Sequence, residues 1–230
     1  MITARVDLRA GGEYRWTVIP GNSAAGTFTE VEPGRRVVFT WGWEGSAELP
    51  PGASTVTITL AICQLILRGV AEADYHKDTV CTEFDVTQLA DHLIGSVTYM
   101  CAAAGAEPGA GPVTSPLEAR VATAAQATLE AWHVRGLDGT VKVGPHEMPA
   151  GAALGILSIE FLVHAWDFAQ ATGQQVTVSD EVAQHVLGVA RQIITPEARG
   201  GGSFADPIEA GPDAGLLDRL IAFTGRTNTQ

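Results

Sequence analysis

Apolar and polar positions change period once along the chain. Up to about residue 61 the pattern is that of strands. Arg5 to Ile19 reads as a strand with Gly11-Gly12 as a bend or bulge inside it, followed by turn residues at Gly21-Asn22-Ser23. Residues 26–31 resume the alternation, and Pro33-Gly34 predicts a turn. Arg35 to Trp43 is rich in β-branched and aromatic side chains. Ser54 to Leu60 sets Thr55, Thr57 and Thr59 against Val56, Ile58 and Leu60, the period of a half-buried strand. Short turns pair consecutive strands, so an antiparallel meander of about four strands is expected.

Beyond residue 61 the period becomes helical. Ile62, Leu65, Ile66 and Val70 share a face of a short helix. Asp85 followed by Gln88 is a capping box, opening a helix whose stripe is Leu89, His92, Leu93, Val97, Met100 and Cys101, closed by Gly105. Ser115-Pro116-Leu117-Glu118 supplies a cap, a first-turn proline and a glutamate reaching back, for a helix ending at Arg135 before Gly136. A loop with a short hairpin near Thr140 to Val143 leads to a helix over Ala150–Thr172, stopped by Gly173. Ser179 caps a helix with Val182, Val186, Val189 and Ile193 buried, ended by Pro196. A glycine-rich loop from Arg199 to Phe204 precedes a last helix from about Asp213 to Thr224. Four of these helices are long enough for an up-down bundle. The expected class is α+β: an N-terminal antiparallel meander over residues 1–61 and a four-helix bundle over residues 62–230.

Composition narrows the functions. Apolar residues make up 46% of the chain and charged ones 17%, enough for a core and too few charges for disorder. A formal charge of -12 repels a duplex or an anionic bilayer, so neither nucleic acid nor membrane is expected as a partner. The uncharged stretch between Glu48 and Arg68 is long enough to suggest a span, but its alternation reads as strand. Arg5, Asp7 and Arg9 stand where a signal peptide needs an apolar run, and Cys63, Cys81 and Cys101 show no metal-type spacing. A soluble, cytoplasmic protein with reduced thiols is expected.

The chemistry concentrates on the Ala150–Thr172 helix. Glu160 and His164 are four apart and therefore on one face, and Asp167 follows three further on. His92 interrupts the leucine stripe of the Asp85 helix. If the two helices pack side by side, His92, Glu160 and His164 offer two imidazoles and a carboxylate to Zn²⁺ or another divalent ion, with Asp167 orienting a ligand imidazole. The pattern equally fits a satisfied core histidine and a surface Glu–His pair, so spacing leaves both readings open. Secondary candidates are Cys81 at a helix start, His133, His146, and Arg199 and Arg226, which suit an anion, a helix end or an acidic neighbour.

Thr79-Val80-Cys81-Thr82-Glu83-Phe84-Asp85-Val86, with Leu89 and His92-Leu93-Ile94-Gly95, resembles the opening motif of the DinB-like, mycothiol-dependent maleylpyruvate isomerase superfamily. Val163-His164-Ala165-Trp166-Asp167-Phe168-Ala169 with Thr172-Gly173 resembles its HxWDxA…TG signature. Arg199-Gly200-Gly201 to Phe204 and Leu220 to Gly225-Arg226 are similar to the ending of an actinobacterial branch. The resemblance spans residues 62–226 and implies a four-helix bundle binding metal through His92, Glu160 and His164. Gly11-Gly12-Glu13-Tyr14-Arg15, residues 26–31, Arg36 to Trp41 and Ser54 to Leu60 look like the central strands of the START-like (SRPBCC, helix-grip) superfamily, truncated at both ends. Its apolar face (Tyr14, Trp16, Phe28, Phe39 and Trp41) then needs a cover, either the bundle or a second copy in a homodimer.

Together these readings point to a divalent-metal-dependent enzyme acting on a small organic molecule through metal-bound water or thiolate. His92, Glu160, His164 and Asp167 carry the site. The resemblance implies isomerase or thiol-transferase chemistry with a low-molecular-weight thiol such as mycothiol. A lyase or cyclase of secondary metabolism and a non-catalytic small-molecule carrier are the alternatives.

Overall fold

A computed structural model describes residues 3–19, 22–32, 36–39, 42–43, 51–109, 112–200 and 204–227. The chain divides into two compact units, residues 1–54 and 55–230. Its class is α+β, a small antiparallel sheet followed by several helices.

In the first unit, β1 (Thr3–Val6), β2 (Glu13–Ile19), β3 (Asn22–Glu32) and β4 (Arg36–Phe39) pair in chain order, and β5 (Gly42–Trp43) also pairs with β3. The expected single strand over 5–19 is two strands. Gly11 has φ +77°, and a Cβ on Gly12 would lie 2.0 Å from the Asp7 carbonyl oxygen, so the glycines close a hairpin instead of bulging one strand. Tyr14 and Phe28 are buried with ring centroids 5.4 Å apart. The Pro33-Gly34 turn and Trp41 lie outside the described residues, as do the side chains of Trp16 and Phe39.

The largest correction concerns residues 54–60. They belong to α1 (Pro51–Arg68), not to a strand. Thr55, Val56, Thr59, Leu60, Cys63, Ile66 and Leu67 are buried while Thr57, Ile58 and Leu65 are exposed, a helical period that runs through the apparent alternation. Thr59 Oγ1 donates to the Val56 carbonyl at 3.0 Å, which satisfies a buried hydroxyl inside a helix. Of the face expected from Ile62, Leu65, Ile66 and Val70, Ile66 is buried and Ile62 and Val70 are partly covered, but Leu65 is 66% exposed.

The rest of the second unit follows the sequence more closely. Asp85 caps α2 (Val86–Ala103) and forms the capping box with Gln88. α3 (Leu117–Arg135) begins after Pro116 without a side-chain cap, so Ser115 does not play the expected role. The hairpin β6 (Thr140–Val143) and β7 (His146–Pro149) precedes α4 (Ala150–Thr172), which ends on Gly173 in the left-handed region. Ser179 caps α5 (Asp180–Ile193). Its buried residues are Ala183, Val186, Leu187 and Ala190, while the expected Val182, Val189 and Ile193 are only partly covered. A short α6 (Pro196–Gly200) occupies the start of the glycine-rich segment, and α7 (Leu216–Phe223) is the last helix among the described residues.

α4 is the central helix. It packs on α2 and α5, and α5 packs on α7. Ile159, Leu162, Val163 and Trp166 meet Val186, Leu187, Ala190, Leu220 and Ile221 in one buried cluster. Gly155 allows the close approach of α5, since a Cβ there would stand 2.8 Å from Val189 Cγ1. Among the described residues α4 alone is long and apolar enough to cross a membrane, and 83% of its apolar window is buried within the protein.

Candidate metal centre

Packing α2 against α4 brings together the three residues singled out from spacing. One ligand atom each from His92, Glu160 and His164 lies within 4.8 Å of the others. The one-turn separation on α4 puts His164 Nε2 3.6 Å from Glu160 Oε2. From α2, the His92 ring meets the His164 ring edge-on at 5.3 Å. Phe84, just ahead of α2, stacks on His92 at 5.1 Å and limits its rotation. His92 is exposed, not packed in the leucine stripe as expected, because the surface opens into a cleft at that point.

The donor set suits a divalent ion. Glu160 Oε2 is buried without a hydrogen-bond partner, a costly arrangement that a cation or a ligand donor would relieve. His164 Nδ1 lies 2.9 Å from Asp167 Oδ2, so Nδ1 keeps its proton there and Nε2, which faces Glu160, is the nitrogen a metal would take by displacing a proton. Two imidazoles and a carboxylate with one open side match a zinc-type site.

Asp167 is fully buried and has three partners. Arg226, from the segment after α7, donates through Nε to Oδ1 at 2.7 Å and through Nη2 to Oδ2 at 2.9 Å. Cys81 Sγ lies 3.3 Å from Asp167 Oδ2 and 3.3 Å from Arg226 Nη2. Of the roles left open for Arg226, pairing with an acidic neighbour is the one realised. Cys81 is likewise neither remote nor simply buried in apolar packing. The two lie 145 residues apart in sequence, so no local pattern could have joined them.

The charges interlock. Burial opposes the charged form of His164, but its contacts with Asp167, Cys81 and Glu160 outweigh this and hold its proton well above the ordinary histidine range. Burial also disfavours the Glu160 carboxylate, yet His164, Ser96 and His92 bring its pKa below the usual value. For Asp167 the same opposition resolves in favour of His164 and Arg226, and its pKa falls to about 2. Partial desolvation of its ring in the cleft, then the charge of His164, lowers the pKa of His92.

His92, Glu160 and His164, with Cys81 and Arg226, line one side of a cleft of about 860 Å³, whose apolar wall includes Phe84, Ile156, Ile159, Val163, Ile193 and Phe204. His146 also lines it from the start of β7. His133 is exposed on α3 and is not among the lining residues. Arg199 is engaged elsewhere, donating to the carbonyls of Ala205 and Phe223 and lying over the Phe223 ring.

Two proteins of Mycobacterium tuberculosis, Uncharacterized protein Rv0738 (strain H37Rv) and Uncharacterized protein MT0763 (strain CDC 1551 / Oshkosh), are each 34% identical to this chain over 165 residues, covering 70% of it and 90% of their own length. The chain belongs to their family. Within this family member, residues 1–64 match a second family, described as Activator of Hsp90 ATPase homolog 1-like protein, which supports the START-like (SRPBCC) reading of the N-terminal segment. No solved structure matches the chain.

Proposed function

We propose that the chain is a cytoplasmic, divalent-metal-dependent enzyme of the DinB-like, maleylpyruvate isomerase type, acting on a small organic molecule in the cleft above α2 and α4. The observation that carries this reading is the convergence of His92, Glu160 and His164 within 4.8 Å, with a buried Glu160 oxygen lacking a hydrogen-bond partner. When bound there, a divalent ion, zinc foremost, supplies Lewis-acid polarisation of a substrate oxygen. Asp167 holds the His164 ring, and Arg226 keeps Asp167 ionised. Apolar side chains along the cleft desolvate the substrate. A low-molecular-weight thiol such as mycothiol is the co-substrate the resemblance implies, in an isomerase or thiol-transferase reaction.

Elemental analysis of the purified full chain tests this. One equivalent of zinc, lost in His164→Ala while the circular dichroism spectrum persists, supports the reading; a metal-free protein that does not take up zinc overturns it.

The START-like match of residues 1–64 favours a second reading, a non-catalytic carrier of an apolar small molecule. Ligand binding that is unchanged in a protein stripped of metal and unable to rebind it would select the carrier.

A further inference from the structure

A second donor set lies behind the first. Cys81 Sγ, a ring nitrogen of His164 and an Asp167 oxygen lie within 4.8 Å of one another. They share only His164 with the centre formed by His92 and Glu160. Asp167 Oδ2 is the common point: His164 Nδ1 stands 2.9 Å from it and Cys81 Sγ 3.3 Å. Both separations are shorter than the sum of two zinc–ligand bonds of about 2.0–2.3 Å each, so one ion can bridge either pair. A sulfur, an imidazole and a carboxylate together suit a thiophilic divalent ion.

A cation already stands there. Arg226 Nη2 lies 3.3 Å from Cys81 Sγ and 2.9 Å from Asp167 Oδ2, and its Nε holds Oδ1 at 2.7 Å. The Arg226 side chain is 12% exposed and Asp167 is fully buried, so an incoming ion must displace the guanidinium instead of sharing its place. A turn after α7 brings the arginine in. Gly225 has φ +82°, and a Cβ on it would stand 2.7 Å from Ala205 Cβ. The Arg226 backbone N–H then bonds the Ile221 carbonyl at 3.2 Å. Cys81 and Arg226 both line the cleft, which gives an ion its path to this place.

We infer that Cys81, His164 and Asp167 form a second, thiolate-type metal site that Arg226 closes, its guanidinium standing in for the ion. This rests on the proposed function only in that both sets draw on His164. An ion in the second set takes His164 through Nδ1 and Cys81 as the thiolate, whose proton passes to solvent. A neutral ring bound through Nδ1 carries its proton on Nε2, which lies 3.6 Å from Glu160 Oε2, so the first set loses a ligand. Arg226 thereby decides which edge of the His164 ring a metal meets. With the guanidinium docked, Cys81 and Nδ1 stay with Asp167 and only Nε2 is on offer. Arg226 is a specificity-determining residue, guarding the centre against thiophilic ions.

Cobalt(II) and cadmium, titrated into the full chain and into Arg226→Ala and Arg226→Ala/Cys81→Ser, test the inference. A thiolate bound to cobalt gives a sulfur-to-metal charge-transfer band that imidazole and carboxylate ligands do not. The expected result is no such band in the parent, its appearance in Arg226→Ala and its loss in the double variant. Cadmium at about a hundredfold excess over its dissociation constant should raise the thermal midpoint of Arg226→Ala by about 5–10 °C beyond its effect on the double variant. Should Arg226→Ala be unfolded without metal, cadmium is expected to restore its circular dichroism spectrum, and not that of the double variant. A band in the parent, a band that persists without Cys81, or an Arg226→Ala chain with neither band nor cadmium stabilisation overturns the inference. Zinc content of the parent is measured separately. A parent that takes up no zinc, with the band present in Arg226→Ala, overturns the metal reading alone; a zinc-loaded parent, with no band in the variant, overturns this inference alone.

Discussion

Nδ1 of His164 lies 2.9 Å from Oδ2 of Asp167, and this contact determines which ring nitrogen faces Glu160. A carboxylate behind a ligand imidazole fixes its tautomer and raises its basicity. Replacing Asp167 with Asn keeps the shape and removes the charge. Asp167→Asn is expected to weaken zinc binding about 10- to 100-fold, measured by competition with a chelator of known affinity. Unchanged affinity in a folded variant would show that the contact does not orient a ligand.

The Arg226–Asp167 pair makes a separate prediction about stability. Asp167 is inaccessible to solvent and the Arg226 side chain is 12% exposed, so solvent screens the pair little. Arg226→Met leaves a buried carboxylate with its main cation gone, and removal of one partner of such a pair costs about 3–5 kcal/mol. The double variant Arg226→Met/Asp167→Leu removes both charges and is expected to recover much of that loss. Urea unfolding of the three chains decides: equal loss in single and double variants would mean that packing, not the orphaned charge, sets the cost.

Val56, Ile58 and Leu60 would share one face of a strand but not of a helix. In α1, Val56 and Leu60 are buried and Ile58 is 44% exposed. Leu60→Ala is therefore expected to cost about 2–5 kcal/mol and Ile58→Ala within about 0.5 kcal/mol. Similar costs for both, measured by denaturant unfolding, would restore the strand.

That segment shows where sequence reading stops. Between Ser54 and Leu60 the Thr/Val alternation is a strand pattern over seven positions, and only the continuation of buried residues through Cys63, Ile66 and Leu67 reveals the longer period. Elements marked by their own ends were legible: Asp85 with Gln88, Ser179, Gly136 and Gly173 bound helices where their capping chemistry says they should. Glu160 and His164 were legible because four residues make one helical turn, whereas the meeting with His92 required α2 and α4 to pack side by side, which spacing could only assume. The Cys81–Asp167–Arg226 network could not be read, since its members come from the loop before α2, from α4 and from the tail after α7. At Gly11-Gly12 the sequence suggested a bend or bulge inside one strand, and the close approach of Gly12 to the Asp7 carbonyl makes a hairpin instead.

Asp85 supplies a prediction in which pH and stability are linked. Its Oδ1 accepts from the Gln88 backbone N–H at 2.8 Å, and the Gln88 side chain returns the contact to the Asp85 backbone N–H at 2.9 Å. Foremost through that backbone hydrogen bond, and with His76 contributing, the Asp85 carboxyl is held below its ordinary pKa. Near neutral pH, Asp85→Ala is expected to cost about 1 kcal/mol through loss of the cap to α2. Because the folded-state pKa is the lower one, the charged cap contributes fully above the unfolded value of about 3.9. That contribution is lost as pH falls through the folded value. The difference between the parent chain and Asp85→Ala should therefore persist at mildly acidic pH and shrink below about pH 4, followed by thermal unfolding across that range. A difference that grows on acidification would mean that protonated Asp85 caps better than the carboxylate, contrary to the geometry of its contact with Gln88.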